Sequence, residues 1–179
     1  TVYVIELPRT QDKAELVAYD AATGRRGAVL YTETNPKYVE PMHPIVFLPW
    51  DADKFIYQTR RDGYNHLYLM SVSGGEPKQL TKGEFEVLQF LGFHAASKSV
   101  IIKSNEASPI RHNLYAVNLK TLKRTLLDNG RGTHRATLSA GGAWLLDRWS
   151  APDTFRQTEL VSTGGAKSVV LQTDGTPWK

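Results

Sequence analysis

The fold is decided by residues 54–70, KFIYQTRRDGYNHLYLM. This stretch holds two apolar runs, 54–57 and 67–70, separated by Asp62-Gly63. Runs rich in aromatic and β-branched residues are typical of strands. Glycine readily adopts the positive φ that a tight turn between antiparallel strands needs. The stretch therefore predicts a β-hairpin.

Both runs of this hairpin recur along the chain. The first returns twice, with Phe55, Val100 and Trp144 spaced 45 and 44 positions apart. The second has counterparts at 16–19, 114–117 and, in shorter form, 159–161. Each member of the second series is followed by a turn and another short strand, and each complete unit opens with a strand. These additional strands are predicted at 28–31, 78–81, 124–127 and 168–171, and at 45–48, 87–93 and 135–139.

Four short strands every 40 to 50 residues, with no helical periodicity, are the signature of β-propeller blades. A single four-stranded sheet leaves both faces apolar, and stacking against neighbouring sheets buries them. The sequence therefore predicts an all-β fold, a β-propeller segment of about four four-stranded antiparallel blades. The predicted boundaries are 1–40 for a partial blade without its first strand, then 41–83, 84–132 and 133–175.

Composition excludes several classes of function. The chain has 179 residues, of which 41% are hydrophobic, and the absence of cysteine excludes a disulfide framework, a thiolate zinc site and a cysteine nucleophile. Its net charge of +4 comes from basic residues scattered along the sequence, so no nucleic-acid partner is expected. No apolar run approaches the roughly 18 residues of a membrane span. The five histidines lack metal-ligand spacing, and neither a metal nor another cofactor is expected; they are His43, His66, His94, His112 and His134.

The ends of the sequence suggest a segment of a longer protein. Thr1 follows neither Met nor a signal peptide, and 2–5 already has the composition of a strand. The far end, 173–177, has turn chemistry.

The residues within the repeats are more specific than their spacing. Residues 60–68 (RRDGYNHLY) and 79–87 (QLTKGEFEV) resemble a blade of the dipeptidyl peptidase IV family. The following blades are similar to it as well, at 108–119 (SPIRHNLYAVNL) and at 132–139 (GTHRATLS) with 147–150 (DRWS). Residues 34–40 (TNPKYVE) resemble the family's Trp-Val strand opener, with Tyr38 in place of Trp. The chain is thus identified as the C-terminal half of the N-terminal, eight-bladed propeller domain of a prolyl oligopeptidase-type serine peptidase.

The resemblance implies a parent enzyme with a second domain. In the family an α/β-hydrolase domain with a Ser-Asp-His triad removes N-terminal dipeptides, and its nucleophile lies in a Gly-x-Ser-x-Gly turn. No such pentapeptide occurs in this sequence, so no catalytic residue is assigned here. The resemblance implies that the chain gates and positions short peptides, with the peptide substrate and the parent's hydrolase domain as partners. It also implies a periplasmic, cell-envelope or secreted location.

One loop is the candidate for a direct contribution to function. In the family, the segment after the Trp-Val strand helps to line the substrate pocket, and by resemblance Glu40 and Met42 lie near the path of a peptide. The alternative is an ordinary link between blades, stiffened by Pro41 and Pro44.

Two other functional classes remain open. A TolB-like or small stand-alone propeller would act as a protein-interaction module. A carbohydrate-active propeller enzyme would need inward-facing carboxylate pairs, which the strand alternation does not offer. An arc of blades also leaves its two terminal sheet faces uncovered, which predicts self-association.

Overall fold

The structure is a computed structural model that describes residues 1–41, 43–165 and 167–175. Within these ranges the chain forms fifteen strands and no helix. A membrane-crossing helix, which would have to be long and apolar, is accordingly not found in the described part of the chain.

The strands form four separate antiparallel sheets, and in each sheet the strands pair in chain order. The first sheet has three strands: β1 (Val2–Glu6), β2 (Lys13–Tyr19) and β3 (Arg26–Thr34). The second contains β4 (Val46–Leu48), β5 (Asp51–Thr59), β6 (His66–Ser71) and β7 (Lys78–Gln79). The third contains β8 (Val87–His94), β9 (Ser99–Ser104), β10 (Asn113–Asn118) and β11 (Arg124–Leu126). The fourth contains β12 (Thr133–Leu138), β13 (Trp144–Ala151), β14 (Thr154–Ser162) and β15 (Ser168–Thr173).

This meander is the topology of propeller blades, and the first sheet lacks one strand, as the sequence predicts. The hairpin at 54–70 has the predicted geometry. Gly63 has a φ of 100°, and its N–H donates to the Arg60 carbonyl oxygen at 2.9 Å. The largest departure from expectation is β14, which is nine residues long, whereas only its apolar part, 159–161, is evident in the sequence. Its first half, 154–158, is polar apart from the exposed Phe155, so it carries little of the hydrophobic signal by which a strand is predicted.

The chain divides into two compact units: Thr1–Gln79, and a second that starts at Leu80. Each unit contains two consecutive sheets with a shared core. The first core is built on Leu16, Phe55, Tyr57, Tyr68 and Met70, and the second on Ile101, Leu114, Leu127, Leu145 and Val161. Each core thus joins side chains of two sheets, which is how blades bury faces that one sheet cannot cover alone.

Candidate functional site

The predicted functional loop is held against the first sheet by backbone hydrogen bonds. The Val39 N–H donates to the Gln11 carbonyl oxygen at 2.6 Å, and the Asn35 N–H donates to the Asp12 carbonyl oxygen at 3.0 Å. The Val39 side chain is buried, whereas Glu40 is exposed. The buried Val39 side chain thus anchors the loop to the first sheet and leaves the neighbouring Glu40 carboxylate in solvent.

Glu40 lines a groove of about 570 Å³ within the first unit. The other lining residues come from β1 and β2 and from the two sides of the loop, and most are apolar: Tyr3, Ile5, Leu7, Leu16, Pro41, His43, Pro44 and Ile45. An apolar groove with one carboxylate can hold the side chains of an extended peptide and accept a hydrogen bond from its amine or backbone. The role of Glu40 in a substrate path stays a prediction. Met42, the other residue predicted there, lies outside the described residues.

Next to this loop, a buried carboxylate joins the first and second sheets. Glu33 of β3 accepts hydrogen bonds from the Thr59 hydroxyl at 2.5 Å and the Tyr57 hydroxyl at 3.4 Å, both on β5. Burial and the Glu33 charge raise the pKa of Tyr57, so its hydroxyl remains a donor at neutral pH. The Arg61 guanidinium lies over the Tyr31 ring, 5.6 Å from its centroid. This network holds the two sheets of the first unit together.

The second unit contains a buried His–Asp pair. The His134 side chain is fully buried on β12, and its Nδ1 lies 2.6 Å from Oδ2 of Asp147 on β13. Its Nε2 lies 2.7 Å from the carbonyl oxygen of Arg131. Because both ring nitrogens face acceptors, both must donate, which assigns the charged imidazolium form. The ring stacks on Trp149 at a centroid distance of 5.5 Å, and the Trp149 indole N–H donates to Glu159 at 2.8 Å.

Electrostatics favour the same assignment. Burial alone lowers the pKa of His134, but the hydrogen bond to Asp147 and the charges of Asp128 and Asp147 outweigh it, and the net pKa is raised. Oδ1 of Asp128 lies 3.8 Å from Nε2 of His134, and burial raises the pKa of Asp128. An imidazole with both nitrogens engaged cannot accept a proton from a nucleophile. The pair therefore stabilises the fourth sheet and does not act as a general base.

The pair is not predicted from the sequence, in which the only signal assigned to the His134 side chain is its place among five dispersed histidines. The signal was present in 132–139 and 147–150, which carry both residues. In the pairing of β12 with β13, His134 lies opposite Trp149 and Ala136 lies opposite Asp147. His134 and Asp147 are therefore diagonal neighbours on the same face of the sheet. Among the described residues, no group of three His, Cys, Asp or Glu side chains is arranged to hold a metal ion.

Comparison with known proteins agrees with the sheet topology. A family model described as the dipeptidyl peptidase IV (DPP IV) N-terminal region matches residues 1–156. A probable dipeptidyl peptidase 4 of Aspergillus flavus is 30% identical over 97% of this chain, and this match covers 23% of that protein. Dipeptidyl peptidase 4 of Trichophyton rubrum is 25% identical over 89% of this chain and 21% of that protein.

Two solved structures have the same fold over nearly all of the chain. A candidate dipeptidyl aminopeptidase IV from Bacteroides ovatus matches with a TM-score of 0.87 and 40% identity, over 98% of this chain and 28% of that one. The dipeptidyl peptidase 4 of Porphyromonas gingivalis matches with a TM-score of 0.83 and 26% identity, over 96% and 24%. The all-β propeller prediction is thereby confirmed. This chain spans about a quarter of the length of these relatives.

Proposed function

This chain belongs to the dipeptidyl peptidase IV family, and from that premise we propose that it is the non-catalytic β-propeller portion of a serine exopeptidase. The match to the family's N-terminal region along 1–156 is the observation that carries the proposal. In the parent protein, a hydrolase domain outside this chain releases N-terminal dipeptides. The blades of its propeller ring include the four predicted segments 1–40, 41–83, 84–132 and 133–175.

The propeller's part in this activity is gating and positioning. Blades arranged over a hydrolase face exclude folded proteins, admit short peptides and shield the reaction from bulk water. The Glu40 groove supports this role, because apolar walls and one exposed carboxylate suit an extended peptide. The parent works outside the cytoplasm, in the periplasm, in the cell envelope or after secretion.

The experiment that tests this function is an assay of the parent protein with a chromogenic Xaa-Pro substrate. Cleavage is expected from the parent, and none from the 179-residue chain alone. In the parent, Glu40→Gln should raise KM for longer peptides by about threefold to tenfold, the effect of losing one charge-assisted hydrogen bond that is partly exposed to water. The kcat should stay unchanged.

Glu76→Gln is the matched control, because it removes an exposed carboxylate that does not line this groove. Equal effects of the two substitutions would contradict a substrate path at Glu40. A parent that lacks peptidase activity and a Gly-x-Ser-x-Gly segment would favour a stand-alone interaction module instead.

We also expect the 179-residue chain to associate with itself through β15, which is an edge strand of the fourth sheet. Its side chains Val169, Val170 and Leu171 are 54–55% exposed, and unpaired apolar edges pair with other chains. Light scattering should show dimers or larger species at high concentration, and Val170→Lys should reduce them. Ile110→Lys, in an exposed loop, is the control. A strictly monomeric chain at every concentration would disprove this expectation.

A further inference from the structure

The link between the third and fourth sheets contains Asn129-Gly130, the one place in the sequence where an asparagine precedes a glycine. The backbone nitrogen that follows an asparagine can attack the side-chain amide, which closes a five-membered succinimide ring and releases ammonia. Glycine is the least hindered neighbour for this attack because it has no Cβ. Asn129 is exposed, so water can reach the ring. This dipeptide is therefore the position in the sequence that is most open to deamidation.

A hydrogen bond holds the Asn129 side chain against the Gly130 peptide. The Arg131 N–H donates to Oδ1 of Asn129 at 2.9 Å. The ring that this bond closes contains both the Asn129 Cγ and the Gly130 nitrogen, the two atoms that must join. The same N–H stabilises the negative charge that forms on Oδ1 during the attack. The turn thus keeps the reacting atoms together and polarises the amide.

The attacking nitrogen also contacts a buried carboxylate. The Gly130 N–H donates to Oδ1 of Asp128 at 2.7 Å, and the Asp128 side chain is 1% exposed. The third sheet holds this carboxylate in place, because it also accepts from the Leu114 N–H at 2.6 Å and from the Asn113 amide at 3.0 Å. Burial raises the pKa of Asp128, which makes it a stronger proton acceptor. An amide nitrogen becomes nucleophilic as it loses its proton, and Asp128 is placed to take that proton.

Another asparagine provides an internal reference. Oδ1 of Asn118 accepts from the Lys120 N–H at 3.0 Å, the same kind of bond as at Asn129. The next residue is Leu119, whose N–H donates to the Lys98 carbonyl oxygen at 3.0 Å. A carbonyl oxygen is a far weaker base than a carboxylate, and the leucine side chain hinders the nitrogen. Asn118 therefore has the same turn without a carboxylate on the attacking N–H.

We propose that Asn129 is a site of spontaneous deamidation that the fold promotes, with Asp128 as the proton acceptor. The Gly130 nitrogen forms a bond to the Asn129 Cγ while its proton passes to Oδ1 of Asp128. The bond from Cγ to Nδ2 then breaks, and Nδ2 takes that proton and leaves as ammonia. Water opens the succinimide at either carbonyl and gives aspartate or isoaspartate, with no change in oxidation state. The inference needs only the link between two sheets and is independent of the proposed function.

The place of the site gives the modification a structural effect. In isoaspartate the chain runs through the former side chain, which adds one atom to the backbone of the link. This link passes so close to β13 that a Cβ on Gly132 would lie 2.0 Å from the Ser150 carbonyl oxygen. An added atom therefore displaces the link, and with it the Arg131 carbonyl oxygen, which lies 2.7 Å from Nε2 of His134. Isoaspartate at this position should thus weaken the buried network at His134.

The test is incubation of the folded 179-residue chain at neutral pH in water labelled with heavy oxygen, followed by peptide mapping with mass spectrometry. Asn129 should gain labelled oxygen at least about tenfold faster than the same residue in the synthetic peptide Asp-Asn-Gly-Arg-Gly, because a fixed geometry and a positioned proton acceptor both speed the attack. The chain unfolded in urea should react at the rate of the peptide. Asn118, measured in the same digest, should stay unmodified over the same period.

Asp128→Asn tests the proton acceptor. It keeps the size of the side chain but removes its charge, so the folded variant should deamidate at Asn129 about tenfold more slowly. Asp20→Asn is the comparison variant, because it makes the same change at an exposed carboxylate that accepts from the Ala22 and Thr23 N–H groups in the β2–β3 turn. It should leave the rate unchanged. Near-UV circular dichroism verifies that each variant is folded.

The proposal is overturned if the folded wild-type chain reacts no faster than the peptide, which would show that the fold protects Asn129. This comparison decides the outcome even if Asp128→Asn fails to fold. The proposal also fails if Asp20→Asn slows the reaction as much as Asp128→Asn does. The isoaspartyl form, separated by chromatography, should unfold at a lower urea concentration than the unmodified chain. An unchanged midpoint would contradict the displacement of the link.

Discussion

Replacing His134 with alanine is expected to lower the free energy of unfolding of the second unit by about 3 to 5 kcal/mol, the usual cost of breaking a buried ion pair from one side. The substitution leaves the buried Asp147 carboxylate without its partner, in a site where Oδ1 of Asp147 already lacks a hydrogen bond among the described residues. It also removes the ring that stacks on Trp149. Urea unfolding followed by tryptophan fluorescence measures the change.

His94→Ala is the control for this prediction. The His94 ring forms an exposed hydrogen bond with the Ser97 hydroxyl in the turn after β8, at 2.7 Å, so its loss should cost less than about 1 kcal/mol. Equal destabilisation by the two substitutions would show that the His134–Asp147 pair is not a special element of this sheet.

The pair also makes stability depend on pH with a defined sign. A histidine whose pKa is raised by folding stabilises the folded state fully below its unfolded value of 6.5, and this contribution is lost as the pH rises through the folded pKa. The unfolding free energy of the wild-type chain should therefore fall relative to that of His134→Ala above pH 6.5. The pKa of His112, which is lowered by burial and by nearby Lys103 and Arg135, acts equally in both proteins and cancels in the difference.

The blade architecture was predictable because its signals are local. Short apolar runs separated by turn-forming residues define each hairpin within about 20 residues, and the spacing of 44 to 45 residues defines the repeat. The position of Arg135 opposite Arg148 on neighbouring strands was not predictable in the same way, because the two residues are separated in sequence. Only the register of β12 with β13 brings them opposite each other. A shift by one residue would place them on different faces.

The buried network at His134 also depends on a residue outside the strands. Asp128 belongs to the link after β11, where its Oδ2 accepts from the Leu114 N–H at 2.6 Å and its Oδ1 from the Gly130 N–H at 2.7 Å. These contacts turn the chain from the third sheet toward β12. The path of such a link depends on hydrogen bonds to backbone groups, and these leave no periodic pattern in the sequence. The loop at Glu40 illustrates the opposite case, in which a family resemblance supplied a candidate that periodicity could not.

Gly132, in this link, should tolerate no side chain. Its φ is 63°, and a Cβ there would lie 2.0 Å from the Ser150 carbonyl oxygen and 3.1 Å from Cβ of Ala151. Gly132→Ala must therefore accept a left-handed conformation and also displace β13, for a combined cost of about 2 to 5 kcal/mol. Because the link holds Arg131 and leads directly into His134, the displacement also disturbs the hydrogen bond from His134 Nε2 to the Arg131 carbonyl oxygen.

Gly130→Ala separates the two parts of this cost. Gly130 has a similar φ of 74°, but the nearest atom to a Cβ is Cδ2 of Leu126 at 3.5 Å, an ordinary contact distance. This variant therefore experiences only the conformational penalty of about 1 to 2 kcal/mol. In urea unfolding, Gly132→Ala should be less stable than Gly130→Ala by about 1 to 3 kcal/mol, the cost of overpacking. Equal free energies of unfolding for the two variants would mean that β13 moves at Ser150 at little cost. The close approach of the link to this strand would then not fix the position of His134.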